Sequence, residues 1–244
     1  MAAFARPDNL KRQLQVSGLA TVGIDSTDKF WQIVNDTWQE GSTTALGYKK
    51  VLLARLLKLF PELTPSRQQE AAITVSAFVD AYFENSRIDE HWRPVLKMLN
   101  SHQAIQVIIA TDHYAETTNA IIKYLAEWGI AATSVLGKGK SNFFVANSAD
   151  LGSHKDSSGF WETVYNTLQN KYDRILLIDD FGANEQSEDA YVQENSISKR
   201  QQKTLNMLNN VFLIPVECCP FTAGNTPIAD LIAKSSIKTK QFIN

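Results

Sequence analysis

Cysteine is nearly missing from this chain: two occur in 244 residues, Cys218 and Cys219, and they are neighbours. Adjacent cysteines seldom bridge, so a disulfide framework is excluded as a source of stability, and a reducing cytoplasm is the expected setting. The pair reads as two small apolar fillers after a strand rather than as a redox couple. Long apolar runs are also missing, and none approaches the roughly 18 residues that a membrane-spanning helix requires. The opening stretch MAAFARPDNLKRQLQ has basic residues with no apolar segment behind them, so no secretory leader is expected. Neither sign of charge dominates: 24 Lys+Arg stand against 26 Asp+Glu, which leaves no global field to attract nucleic acid or a membrane surface. The four histidines, His91, His102, His113 and His154, lack metal-binding spacing such as HExxH. His113 reads as a surface or capping residue close enough to Thr111 to approach a ligand. GKGKS at 137–141 lacks the first glycine of a phosphate loop at the right distance and reads as a mobile loop. No internal repeat or low-complexity tract is present.

What is there is ordinary globular material, 44% hydrophobic and 20% charged, in a length that suits one sizeable core and a smaller attached domain. Five short apolar runs read as buried strands: Val16–Ile24, Ala104–Ala110, Ala131–Leu136, Arg174–Ile178 and Val211–Val216. Ile, Val and Leu dominate them, as a parallel sheet covered on both faces demands. Helical stripes lie between, with Ile121, Ile122, Leu125 and Trp128 on one and Phe160, Val164 and Leu168 on the other. Alternating strands and helices predict an α/β fold with a doubly wound parallel, Rossmann-like sheet.

From Lys29 to Asn100 the pattern is helical throughout: Phe30–Trp38, Tyr48–Phe60, Arg67–Phe83 and Glu90–Leu99, punctuated by Gly41, Gly47, Pro61 and Pro65. Trp31 and Trp38, seven apart, share a face and read as core. This predicts an inserted all-helical cap domain over 29–100, with 1–28 and 101–244 forming the α/β core. The polar stretch from Glu185 to Asn209, with Gln186, Ser187, Glu188 and Asp189, is expected to be a loop leading into an exposed helix.

Polar residues stand at strand ends or helix starts, where open α/β sheets bind ligands. Asp25 ends LATVGID, Thr111 ends IQVIIAT with Asp112 after it, Lys155 lies in GSHKDSSGF, and Asp179–Asp180 end RILLIDD. Taken singly, an Asp or Thr in such a place is commonly a cap, and a Lys is commonly solvated. The adjacent carboxylates are more telling, because two of them at the mouth of a sheet repel each other unless a cation holds them. Together the set makes chemical sense. A carboxylate can attack phosphorus and divide one hard displacement into two easier ones. The acid pair suits Mg²⁺, and a lysine and a hydroxyl offset phosphoryl charge.

IIATDHYAETTNAIIKYLAEWGI, HKDSSGFWETVYNTL and RILLIDDFGANE, taken in that order, resemble motifs II, III and IV of the haloacid dehalogenase (HAD) superfamily. Lys155 and Asp180 are 25 positions apart, room for a helix, a turn and a strand, and Asp25 and Thr111 are 86 apart, room for an inserted cap. The resemblance implies a HAD-type core with strand order 5-4-1-2-3 and a Mg²⁺-dependent phosphatase or phosphotransferase for a small phosphorylated metabolite. It implies Asp25 as the nucleophile and Thr111, Asp112 and Lys155 as phosphate contacts. Mg²⁺ would be held by Asp25, Asp179, Asp180 and the Thr27 backbone carbonyl.

Motif I departs from the family pattern. Thr27 stands where a second Asp usually serves as acid and base, so hydrolysis of the phospho-enzyme is expected to be slow. Asp28, the other acid in the segment, reads as a helix N-cap. Asn184 stands where a further metal-supporting Asp often lies. Two alternatives follow: a metal-free reaction of the superfamily such as dehalogenation, and a catalytically weak HAD-like binding protein. Receiver domains use the same residue types, but there the acid pair comes first along the chain, and here it comes last.

Overall fold

The computed structural model describes residues 7–169, 172–184, 197–224 and 226–243. These fall into two compact units. One takes in Met1–Arg87, Asp112–Ile121 and Asn147–Gly152, the other Ile88–Thr111, Ile122–Ala146 and Ser153–Asn244.

The first unit is built on helices α1 (Pro7–Val16), α2 (Thr27–Ser42), α3 (Tyr48–Leu59) and α4 (Pro65–Asn85). Apolar residues three or four apart give each helix one buried stripe: Leu10 and Leu14, Phe30 and Ile33, Leu52 and Leu56, and Ala71, Val75 and Phe78. Trp31 and Trp38 pack against this core, as their spacing predicts. Each fully buried Leu or Phe contributes about 1.5–3 kcal/mol relative to exposure. Two local signals set helix starts. Pro65 occupies the first turn of α4, where its missing N–H costs nothing. Ser26, not Asp28, caps α2: its Oγ accepts the Lys29 N–H at 3.3 Å, and Asp28 lies within the first turn.

Val16–Ile24 is not a strand. Val16 ends α1, and Leu19–Val22 form a 3₁₀ turn between Gly18 (φ 81°) and Gly23 (φ 108°). Left-handed φ at both ends breaks any extended run, and a Cβ on Gly23 would lie 2.4 Å from the Phe60 ring. Leu19, Val22 and Ile24 are buried as the strand reading expects, through a different backbone.

The second unit carries α5 (Arg93–Asn100), β1 (Val107–Thr111), β2 (Thr133–Ser134) and β3 (Phe143–Asn147). Helix α6 (Glu116–Glu127) begins in the first unit and continues into the second, and Asn147 at the end of β3 belongs to the first. The short α7 (Ser148–Leu151) follows in the first unit. Then come α8 (Ser158–Leu168), β4 (Ile175–Asp179), α9 (Ile197–Phe212), β5 (Val216–Pro220) and α10 (Ile228–Ile243).

The strands form one sheet ordered β1-β3-β2 and a second of β4 and β5. Strands β2 and β3 pair in parallel, as do β4 and β5, with Ile175 opposite Val216 and Asp179 opposite Pro220. The fold is therefore mixed α/β, mostly helical with small parallel sheets. A five-stranded sheet in the order 5-4-1-2-3 is not formed among the described residues.

Other corrections follow from local stereochemistry. The strand expected over Val211–Val216 begins only at Val216, because α9 runs on to Phe212 and ends at Leu213 in left-handed conformation (φ 55°). Cys218 and Cys219 consequently lie within β5, not after it. Their side chains alternate: Gln201 of α9 donates to Cys218 Sγ at 3.4 Å, and Cys219 Sγ lies 3.9 Å from Ser235 Oγ of α10. Only Thr133–Ser134 of the run expected over Ala131–Leu136 is strand, and the buried strand of that region is β3. Gln186, Ser187, Glu188 and Asp189 lie outside the described residues. No helix among the described residues is long and apolar enough to cross a membrane.

Candidate functional site

Strand β4 delivers Asp179 and Asp180 to its C-terminal end, and the chain then turns through Phe181 (φ 53°) and Gly182 (φ 76°). That turn is held by the acids. The Phe181 N–H donates to Asp179 Oδ1 at 2.8 Å, and the Gly182 N–H donates to Asp180 Oδ1 at 2.9 Å. Each acid side chain thus closes a tight turn onto the backbone two residues further on. Lys155 Nζ stands 3.4 Å from Asp179 Oδ2, both side chains only about a fifth exposed (23% and 21%). Partial burial strengthens this pair relative to a surface one. Lys155 is placed by Trp161 of α8, whose Nε1–H donates to the Lys155 carbonyl at 2.8 Å.

Asn184 closes the turn. Its Nδ2 donates to Asp180 Oδ2 at 2.9 Å and to the Phe221 carbonyl at 2.8 Å, and its Oδ1 accepts the Ala223 N–H at 2.8 Å. Arg200 of α9 donates through Nε to the Phe181 carbonyl at 2.6 Å. Arg200 escapes sequence reasoning, since one basic residue in a polar helix carries no periodic signal.

The acid pair offers hard oxygens that fit a hydrated Mg²⁺, an ion that commonly takes one or two carboxylates and completes its shell with water and substrate phosphate. The pair does not make an all-protein cage. Among the described residues no group of three or more His, Cys, Asp or Glu side chains is arranged to hold a metal.

Thr111 closes β1 in the same unit, and Asp112 follows it. Asp25 and Thr27 belong, like Asp112, to the first unit. Asp25 is exposed and pairs with Lys29 of α2, Oδ1 to Nζ 2.9 Å, and the Lys29 ammonium lowers its pKa. An exposed pair of this kind contributes little to stability. Thr27 is the first residue of α2, where helical geometry commits backbone carbonyls to the helix ladder. Side chain to side chain, Lys155 meets Asp179 and Asn184 meets Asp180, so that two contacts converge on adjacent acids. A cleft of about 570 Å³ between α8 and α9, lined by Asp156, Tyr165, Lys203 and Asn206 among others, does not include the acid pair in its lining.

His113 is neither a surface residue nor a cap. Its ring lies among Trp38, Tyr82, Phe83 and Tyr114, with ring centres 5.6–6.3 Å away. Nδ1 accepts the Tyr114 N–H at 2.9 Å, which puts the imidazole proton on Nε2, 2.8 Å from the Tyr82 hydroxyl. Enclosure lowers its pKa to about 4, so the ring is neutral at pH 7. Tyr114 also stacks on Tyr48, centres 4.0 Å and planes 6° apart, and presses so close to α2 that a Cβ at Gly41 would lie 2.2 Å from its ring. Nearby, the Glu116 carboxylate accepts the Tyr48 and Lys49 N–H groups at 2.8 and 3.4 Å, capping α3 from a segment 68 residues away.

Comparison with protein-family models, with curated proteins and with solved structures returned no match.

Proposed function

We propose that this chain is a Mg²⁺-dependent, HAD-like phosphoryl-transfer enzyme acting on a small phosphorylated metabolite. One observation carries the reading: Lys155 meets Asp179, the first of two adjacent acids, at the C-terminal end of a parallel strand. Asp179 and Asp180 would hold the ion, which would supply neutralisation of phosphate charge. Lys155 and the Thr111 hydroxyl, by the resemblance, hold phosphoryl oxygens. The nucleophile by the same resemblance is Asp25. Its oxygen forms a bond to phosphorus, the ester P–O bond breaks, and the departing oxygen takes a proton from solvent. Water then cleaves the acyl-phosphate, slowly, because Thr27 cannot deprotonate it as a carboxylate would.

The test is acid quench and mass spectrometry after incubation with Mg²⁺ and a generic phosphate ester. A covalent phosphate on Asp25, lost in Asp25→Asn and in excess chelator, is expected, and Thr27→Asp should shorten its lifetime. Undiminished turnover in chelator would favour the metal-free reaction.

A second reading, a binding protein without turnover, is favoured by the segment before Asp25. The resemblance needs a strand there, whereas Leu19–Val22 form a 3₁₀ turn and Asp25 is exposed and paired with Lys29. Metal-dependent binding of phosphate esters with no adduct and no product would select it.

A further inference from the structure

We infer that Asn184 is a positioning residue for Asp180 and that it works because it is not an acid. The inference rests on the phosphoryl-transfer reading of the Asp179–Asp180 site.

The hydrogen-bond polarity around Asn184 admits one orientation of one residue type. Two acceptors, Asp180 Oδ2 and the Phe221 carbonyl, face its Nδ2, and one donor, the Ala223 N–H, faces its Oδ1. An amide has two N–H donors and an acceptor oxygen, and all three contacts are met. A carboxylate in its place could still accept from Ala223. It would lose both donations and set a third negative charge beside Asp179 and Asp180.

The three bonds also tie two loops together. Asp180 leaves β4, whereas Phe221 and Ala223 follow β5, 37 and 39 residues beyond Asn184. The loop after β4 is held at a second point by Arg200 on the Phe181 carbonyl, and the Phe221 N–H donates to the Asp179 carbonyl at 2.9 Å. Asp180 therefore has one oxygen fixed by Gly182 within its own loop and the other fixed by Asn184 against the neighbouring one. Such bracing leaves a carboxylate little freedom to rotate, which is what a group that must present an oxygen to an ion or a phosphate needs.

The experiment compares the full chain with Asn184→Asp and Asn184→Ala. Phosphate-ester turnover is read with Mg²⁺ near pH 7.5, and the Gly182 and Ala223 amides are read by NMR. Asn184→Asp is expected to lower kcat roughly tenfold or more near pH 7.5, the scale of a lost hydrogen bond to a charged group, with KM changing less. Asn184→Ala should be impaired as well, and it keeps the test open if the acidic variant does not fold. Equal or faster turnover in Asn184→Asp would overturn the inference and mark the position as an unfilled metal ligand. An unchanged Gly182 resonance in Asn184→Ala would overturn it whether or not the protein turns over. A Gly182 resonance that shifts in a protein inert toward phosphate esters would uphold the positioning and defeat the enzymatic reading.

Discussion

At the scale of single residues, two side chains make opposite use of burial. Lys155 meets Asp179 where both side chains are largely covered, and in the proposed reaction its ammonium would face a phosphoryl group. Lys155→Met is expected to cut turnover by roughly 10² or more, the scale of a lost electrostatic donor. A change below twofold in steady-state assays would return Lys155 to a structural ion pair. The proposed Mg²⁺ site predicts that Mg²⁺ raises the melting temperature of the parent protein, by the equivalent of about 2.7 kcal/mol at a hundredfold excess over Kd, and that Asp180→Ala abolishes the rise. His113 goes the other way, since enclosure by Trp38, Tyr82, Phe83 and Tyr114 keeps it neutral. Its folded pKa, about 4, lies below the ordinary 6.5. Above pH 6.5 neither state binds the proton, and its contribution is fully present. As pH falls from 6.5 toward 4, the unfolded chain takes up a proton that the native ring refuses, so stability is lost through that window and no further below it. Between pH 7 and 5 the loss from this residue is roughly 2 kcal/mol. Urea unfolding at the two pH values should show it, and His113→Gln should remove that part of the difference.

At the scale of elements, α3 begins without a side-chain cap of its own, because Gly47 precedes Tyr48. Glu116 supplies the missing acceptor from the start of α6. Glu116→Ala should cost about 1–2 kcal/mol, measurable in the same unfolding experiment, with Glu116→Gln retaining part of it. The helices were legible because their apolar residues repeat every three or four positions in Phe30–Trp38, Tyr48–Phe60 and Arg67–Phe83, and β1 and β4 because short Ile- and Leu-rich runs end at polar turns. Apolar content alone did not separate strand from turn at Leu19–Ile24, where the glycines on both sides decide the backbone. It also missed β3, whose five buried residues follow a loop rich in glycine and lysine. In the site, Lys155 and the acid pair were legible because a helix, a turn and a strand of standard length separate them. Asn184 could be placed in the sequence but its hydrogen bonds could not, since its partners beyond Asp180 lie in the loop after β5, 37 and 39 residues on. The enclosure of His113 was equally hidden, because its walls come from α2 and α4.

At the scale of the whole molecule, the chain visits the first unit three times, and the visit at Asp112–Ile121 is not decorative. Tyr114 is buried in the helical core at 2% exposure, stacked on Tyr48, and Glu116 caps α3. A fragment of residues 1–87 would lose a buried aromatic worth about 2–3 kcal/mol and a cap worth about 1. It should therefore melt roughly 10 °C or more below the helical transition of the full chain, by circular dichroism at 222 nm. Equal melting would mean that the first visit alone is self-sufficient. The paired cysteines of β5 have a consequence of another kind. Alternation along the strand turns one thiol toward α9 and the next toward α10. Burial also raises the Cys218 pKa, which slows its reaction with alkylating reagents until the site opens. Pulse alkylation with peptide mapping would then time the detachment of the two helices separately, from adjacent atoms, with no label added to the chain.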